Sequence, residues 1–335
     1  MTIQKTLKNA ARRAINTPAF THFLSLLERR QGEQADLLRV LTYHRVENLA
    51  RTAGVYPRIM VTPRDFEQQM RYVAAAYNVI GMPDLLRFYV DGEPLPPRSL
   101  LITFDDAYVD FAENAWPILR RLGLPATLFV PTAFPDHPER VFWWDRLYHA
   151  LAQADSDQAV SSPLGRFSLK TPAQREQAFS HLRDHVKTLP HAEAMQWVEQ
   201  VCQSLGTPPP PAAVLGWDAL RRLVREGVTL GAHTRNHPLM TRVAPDAMRQ
   251  EALDSLHDLE RETGAALPIF AYPSGGANAE VVQVLRQAGF VLAFLTGHGI
   301  NDLKTADRLQ LRRINVGHNT SLPVLRLQMH TWTSA

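Results

Sequence analysis

The sequence predicts an α/β fold in which a parallel sheet closes into a (β/α) barrel of seven or eight units, interrupted by a helical insertion. Two observations lead there. Short β-rich apolar runs alternate with segments of helical spacing through most of the chain; the alternation argues for a parallel sheet, and the number of units for closure. One stretch, residues 134–215, breaks the rhythm with helical patterns and loops and ends in the run Pro208–Pro211. A doubly wound open sheet is the structural alternative.

The predicted strands are Leu38–Tyr43, Tyr77–Ile80, Leu100–Phe104, Ala126–Val130, Val228–Ala232, Pro268–Tyr272, Phe290–Leu295 and Leu309–Ile314. Between them Met248, Ala252, Leu256 and Leu259 share one helix face, as do Val281, Leu285 and Ala288. Pro63 sits near the first turn of another helix, where its missing N–H costs nothing. The expected organisation is a helical leader over residues 1–36, a barrel over 37–320 carrying the 134–215 insertion as a cap that shapes access, and a C-terminal tail over 321–335. The leader reads as two short helices broken at Thr17-Pro18, with Phe20, Phe23, Leu24 and Leu27 on one face. Packing of that face on the barrel is preferred over peripheral contact with a membrane surface.

The 335 residues, 45% hydrophobic and 21% charged, can bury one large core. A formal charge of +3 is mild, no run of five basic residues occurs, and no zinc-finger spacing or aromatic–basic interleaving is present, so nucleic acid is not an expected partner. Cys202 is the only cysteine, which excludes an internal disulfide and a multi-thiolate zinc site. With no secretory h-region at the N-terminus and no apolar stretch of about 18 residues, the expected location is cytoplasmic.

The chemistry is concentrated at strand ends. In L-L-I-T-F-D-D-A-Y, residues 100–108, an apolar strand runs into two adjacent carboxylates, Asp105 and Asp106. Barrel active sites are built at such C-terminal ends. Paired acids there cost desolvation and repulsion unless a cation or proton compensates. A helix N-cap would explain one aspartate and leave its neighbour without a reason. In V-T-L-G-A-H-T-R-N-H-P, residues 228–238, another apolar strand runs into His233 and His237. That spacing can place two imidazoles on one metal, and Pro238 directs His237 into a turn rather than a helix. His181 and His185 have the same spacing inside an amphipathic helix and read as a solvated face, so the strand-end context separates the two pairs. One carboxylate and two histidines form a three-ligand set with an open position, the usual composition of a catalytic zinc centre. The remaining aspartate is then available as a base.

These pieces resemble the polysaccharide deacetylases (carbohydrate esterase family four, the chitooligosaccharide deacetylase homology domain). The matching segments are L-T-Y-H-R-V at 41–46, T-F-D-D at 103–106, P-A-T-L-F-V-P-T at 125–132, H-T-R-N-H at 233–237, Y-P-S-G at 272–275 and L-R-R-I-N-V at 311–316. Around the insertion the match is loose, near W-W-D-R-L at 143–147. The resemblance implies a distorted barrel, with Asp105 as general base and Asp106, His233 and His237 as ligands of one divalent metal ion, Zn2+ foremost. It further implies the Ser274 backbone N–H as an oxyanion donor, and an N-acylated glycan or glycan precursor as substrate.

Two departures stand out. Where the family often has an arginine two residues before the proline of its third motif, this chain has Ala271; Arg313 either supplies that charge or is structural. The family's late general-acid histidine is poorly matched, which leaves His44, His298 and His318. Of these His44 ends the first predicted strand and so faces the same barrel mouth as the aspartates. Trp143, Trp144 and Trp217 are expected in core or hinge packing rather than as a platform for a sugar ring. A catalytically idle glycan-binding barrel and a deformylase or deacetylase of a lipid-linked envelope sugar remain as alternative functions.

Overall fold

The computed structural model describes residues 36–48, 55–137, 139–211, 213–264 and 266–330, together with Thr17, Phe20, His22, Leu24, Ser25, Leu26 and Glu28 of the leader. Strands β1 (Leu37–Tyr43), β2 (Arg45–Val46) and β3 (Met60–Val61) precede helix α1 (Pro63–Ala76); β4 (Asn78–Val79), α2 (Met82–Asp91), β5 (Ser99–Phe104), α3 (Trp116–Arg121) and β6 (Thr127–Val130) follow. The insertion holds α4 (Trp143–Gln153), the pair β7 (Ala159–Ser162) and β8 (Gly165–Ser168), α5 (Pro172–Val186) and α6 (His191–Ser204). The barrel resumes with α7 (Trp217–Arg225), β9 (Thr229–Ala232), α8 (Pro245–Thr263), β10 (Ile269–Ala271), α9 (Ala279–Gln287) and β11 (Leu292–Phe294), then ends with β12 (Asn301–Asp302), β13 (Ile314–Asn315) and α10 (Leu322–Gln328).

The strands β11, β10, β9, β6, β5 and β1 pair side by side in parallel. The run after β12 joins the two edges of this curled sheet: Leu311 bridges Phe294 of β11, and Ile314 and Asn315 pair with Leu41 and Thr42 of β1. The fold is thus the distorted (β/α) barrel expected. The segment Tyr77–Ile80 departs from expectation. Arg39–Tyr43 of β1 pairs directly with Leu100–Phe104 of β5, so the place of a second barrel strand is taken. The two residues of β4 lie instead beside the start of β5, on the edge that β6 occupies further along.

Strands buried on both faces need apolar residues at nearly every position, and β1 (L-L-R-V-L-T-Y) is buried throughout. Leu38, Val40, Leu101, Phe129, Ile269, Leu292 and Leu311 gather into one interior cluster. Leu41, Tyr43, Leu100, Ile102, Phe104 and Leu128 point the other way, into the main core. Helix α1 begins as its sequence dictates, with Pro63 in the first turn and the Thr62 hydroxyl accepting the Asp65 N–H. Met248, Ala252 and Leu259 of α8 and Val281 and Leu285 of α9 are buried, as their spacing predicts.

The C-terminal segment is more than a tail. Leu325 and Met329 lie in the main core, and the Met329 carbonyl accepts a hydrogen bond from Arg39 Nε. In the leader Leu24 is fully buried, and Glu28 pairs with Arg326 and accepts from the Tyr72 hydroxyl. Of the face expected to pack on the barrel, Leu24 is buried and Phe20 half-buried; Phe23, Leu27 and Pro18 lie outside the described residues. No described helix is long and apolar enough to cross a membrane.

The interior is tight enough to test by addition. A Cβ at Gly231 of β9 would lie 2.6 Å from the Phe129 ring and 3.0 Å from Ile269 Cδ1. Gly231→Ala should cost about 1–3 kcal/mol through overpacking, read as a lower urea midpoint with an unchanged m-value. A midpoint at or above that of the unaltered chain would mean that Phe129 yields and the interior is loose.

Candidate active site

His44, Asp105, Asp106, His233, His237 and Ser274 line one cleft at the C-terminal ends of the parallel strands. Local structure explains the convergence. Successive side chains of a strand alternate in direction, so Val40, Thr42 and His44 follow one side of β1, and Leu101, Thr103 and Asp105 the same side of β5. The Thr42 and Thr103 hydroxyls meet at 3.1 Å one step below the site. Of the three candidate acid histidines only His44 lines the cleft; His318 is exposed and His298 stands elsewhere.

Arg313 is completely buried. Its Nη1 and Nη2 donate to Asp105 Oδ1 at 2.8 Å and Oδ2 at 2.7 Å, while Nε donates to the Leu295 carbonyl at 2.7 Å. The charge absent at Ala271 thus arrives from the closing run Leu311–Asn315. Burial alone would raise the Asp105 pKa; the Arg313 charge, with His233 and the hydrogen bonds, outweighs it and holds the carboxyl below its ordinary value.

Beside this pair, Asp106 Oδ1 lies 3.3 Å from His237 Nε2 and 3.5 Å from His233 Nε2. All three side chains are buried, and they form the one cluster of metal-ligating type among the described residues. His233 Nδ1 is bonded to the Ala271 carbonyl at 2.7 Å, which turns Nε2 and its lone pair toward Asp106. Asp106 Oδ1 is buried without a hydrogen-bond partner. Two nitrogens and an oxygen bound at about 2.0–2.1 Å to a tetrahedral cation would stand roughly 3.3 Å apart, close to the spacing seen. The donor set therefore fits a divalent ion. Burial raises the Asp106 pKa, but the two imidazoles beside it more than reverse that and hold it well below the ordinary range. Burial lowers His233 and His237 alike; the two aspartates leave His233 raised, whereas His237 remains lowered.

The turns bearing these groups are strained and braced. Asp106 and Ala107 take φ of 72° and 52°, Thr234 and His237 63° and 56°, and Ser274 52°. Left-handed backbone costs a non-glycine residue roughly 1–2 kcal/mol. Asp106 is therefore no helix N-cap, and the His233–His237 segment is a loop, as Pro238 implied. Glu251 of α8 accepts the Arg235 and Asn236 backbone N–H groups, each at 2.8 Å, and the Thr234 hydroxyl accepts the His237 N–H. In the Y-P-S-G turn Gly275 is left-handed and packs so closely on Thr296 that a Cβ would collide with its hydroxyl and backbone.

The insertion reaches the site. Trp144 lies in the insertion's core with Trp143 packed against it, as expected of core residues, yet both also line the cleft, and Trp144 packs edge-on against His237 with ring centres 4.8 Å apart; Trp217 is a core residue. The Trp144 indole donates to the Tyr108 hydroxyl, which donates to Asp145 Oδ2 at 2.7 Å. Burial pushes the Asp145 carboxyl up to about 6. The end of the insertion also pairs with the Asp105–Asp106 loop: Leu215 N–H donates to the Ala107 carbonyl and Val109 N–H to that of Ala213. Sequence reasoning missed Glu251, Tyr108 and Asp145. Asp145 had a signal in W-W-D-R-L; Glu251 had none beyond a charge on a helix face.

An ion-paired carboxylate beside a buried two-nitrogen, one-oxygen donor set at a barrel mouth is the layout of a hydrolytic site. The model of the polysaccharide deacetylase family matches residues 92–293, more than half of the chain, which therefore belongs to that family. The deacetylase PplD of Streptococcus pyogenes, solved with acetate, is 21% identical with a TM-score of 0.59, covering 88% of this chain and 98% of its own. IcaB of Ammonifex degensii (17%, TM-score 0.57, 89% and 99% covered) and the BpsB deacetylase domain of Bordetella bronchiseptica (19%, 0.54, 84% and 97%) have the same fold. YxkH of Bacillus subtilis (strain 168), named for the same family, is 26% identical over 99 residues, 29% of this chain and 33% of that protein.

The donor set makes a direct prediction. Adding Zn2+ to metal-free protein should raise its unfolding midpoint, with about 2.7 kcal/mol of stabilisation at a hundredfold excess over Kd. His233→Ala should lose both the bound metal and the increment. Stoichiometric zinc in that variant would place the metal elsewhere.

Proposed function

We propose that this chain is a metal-dependent hydrolase that removes an N-acyl group, acetyl foremost, from an amino sugar of a polysaccharide or its precursor. The observation that carries the reading is the Asp105–Arg313 pair set against the Asp106, His233 and His237 donors. These three residues would hold one divalent ion; nitrogen and oxygen donors suit zinc, and also cobalt, nickel or iron. Such an ion, when bound, supplies Lewis acidity toward the acyl carbonyl and toward water.

The residues supply the proton traffic. Asp105, kept ionised by Arg313, takes a proton from the water that attacks the acyl carbon. The Ser274 N–H donates to the oxygen where negative charge develops. His44, which also lines the cleft, gives a proton to the amide nitrogen as the carbon–nitrogen bond breaks, leaving a carboxylate and a free amine. A catalytically idle glycan-binding barrel drew its support from two departures; the Arg313–Asp105 pair and the presence of His44 in the cleft lining support the hydrolase reading instead. A two-metal phosphatase or nuclease would want a second cation about 3.5–4 Å from the first; one donor cluster is present among the described residues.

Release of acetate and formate from a panel of N-acylated oligosaccharides, with and without added metal, tests the proposal; release from none of them with metal bound would refute it. Asp105→Asn should retain metal yet lower turnover about 10²–10⁴-fold, the usual range for a lost general base. Arg313→Ala removes the charge that depresses the Asp105 pKa, so the acidic limb of its kcat/KM profile should move to higher pH. An unmoved limb would reduce Arg313 to a structural role.

A further inference from the structure

Among the groups that the insertion sends into the cleft is a cation that the hydrolysis does not use. Lys187, at the C-terminal end of α5, lines the cleft together with Asp105, Asp106 and His44. Its ammonium has no hydrogen bond or ion pair among the described residues. The nearest acid of its own helix, Asp184, is committed to Arg183, which donates to it from Nε at 2.9 Å and Nη2 at 2.6 Å. Burial, then the neighbouring Arg183 charge, lower the Lys187 pKa. A partly buried ammonium with no counter-charge beside it is free to receive an anionic ligand.

The neighbouring groups add further donors. Arg183 Nη1 donates to the Tyr56 hydroxyl at 2.9 Å. Tyr56 also lines the cleft, and because its oxygen is occupied as acceptor, its own O–H proton is turned to other partners. The Tyr56 ring is held against Phe179 and Tyr148, with centres 4.7 and 5.6 Å away. The cleft lining therefore offers an ammonium, an oriented hydroxyl and a guanidinium alongside the carboxylates. A lysine at a helix C-terminus also complements the helix dipole. That accounts for the residue type but not for a side chain laid into the cleft.

We infer that the wall formed by Lys187, Tyr56 and Arg183 is an anion subsite, and that the N-acyl sugar acted on carries a phosphate or carboxylate on the same ring or its immediate neighbour. The inference rests on the proposed deacylase reading and deepens it, because it narrows the substrate class from N-acylated glycans to acidic ones. Charge-assisted hydrogen bonds from ammonium and phenol to an oxyanion are stronger than their neutral counterparts, and on an open cleft wall they weaken with salt.

The test uses the full chain and three ligands: N-acetylglucosamine 1-phosphate, a disaccharide of N-acetylglucosamine with a uronic acid, and neutral diacetylchitobiose. Calorimetric titration is followed by acyl-release kinetics, each for the unaltered chain, Lys187→Met and Lys187→Arg. At least one acidic ligand should bind tenfold or more tightly than the neutral one at low salt. Lys187→Met should lose that ratio and Lys187→Arg should largely keep it, and in turnover the preference should lie in KM rather than kcat. Which acidic ligand is preferred identifies the anion as phosphate or carboxylate. Equal binding of acidic and neutral ligands, or a preference that survives Lys187→Met, overturns the subsite even if neutral sugar is deacylated. Lys187-dependent preference without acyl release from any ligand would leave the subsite standing and remove the hydrolase reading instead.

Discussion

The pairing of Arg313 with Asp105 is the constraint on which the site depends. Two charges are almost entirely buried, Asp105 touching only the cleft, and each is tolerable because the other satisfies it. Losing one partner of such a pair typically costs about 3–5 kcal/mol, since the survivor stays buried and uncompensated. The bond also spans the barrel's closing seam, between the end of β5 and the run that joins β11 to β1. The interaction that fixes the base therefore also helps close the fold around it. With Asp105 neutralised by Arg313, the adjacent Asp106 charge is left to the imidazoles and to whatever cation they share with it.

Around that pair the backbone is bent where bending is expensive. Of the seven non-glycine left-handed residues among those described, five (Asp106, Ala107, Thr234, His237 and Ser274) lie in the loops that carry the site, and Arg98 and Asp136 lie elsewhere. Strain of this kind persists only where neighbouring structure over-determines it, and the neighbours are identifiable. Glu251 anchors the histidine loop, the insertion's last residues pair with the aspartate loop, and Thr296 donates to the Ser274 carbonyl. The insertion is thus a brace for the chemistry as well as a wall of the cleft. A cap that merely regulated access would not need its tryptophan against a ligand-type histidine or its aspartate under Tyr108.

Much of this was legible in the sequence because it follows from short-range pattern. Apolar runs ending in paired polar groups located β5 and β9 and the residues beyond them, and the periodic apolar faces of α8 and α9 located those helices. What escaped depends on partners far apart in the chain. The β7–β8 hairpin has little alternation to reveal it, since Val160 is its only buried residue. The displacement of β4 follows from β1 taking the position beside β5, which no local signal encodes. Trp143 and Trp144 read as core residues by composition, which Trp144 is; only the fold of the insertion brings both to the cleft and Trp144 against His237. Arg313 was recognisable as a candidate because a charge was missing at Ala271, while its bidentate geometry required the closed barrel.

The central claim is that a buried guanidinium holds Asp105 ionised, and a carboxyl-carbon NMR titration of that residue addresses it most directly. The resonance is identified by its loss in Asp105→Asn. In the unaltered chain it should show no titration above about pH 4, the ordinary aspartate range, because burial is outweighed by the Arg313 charge. In Arg313→Gln, where burial acts unopposed by that charge, the midpoint should rise into a range visible in the folded protein. An Asp105 carboxyl that titrates at or above the ordinary aspartate value with Arg313 in place would contradict the account.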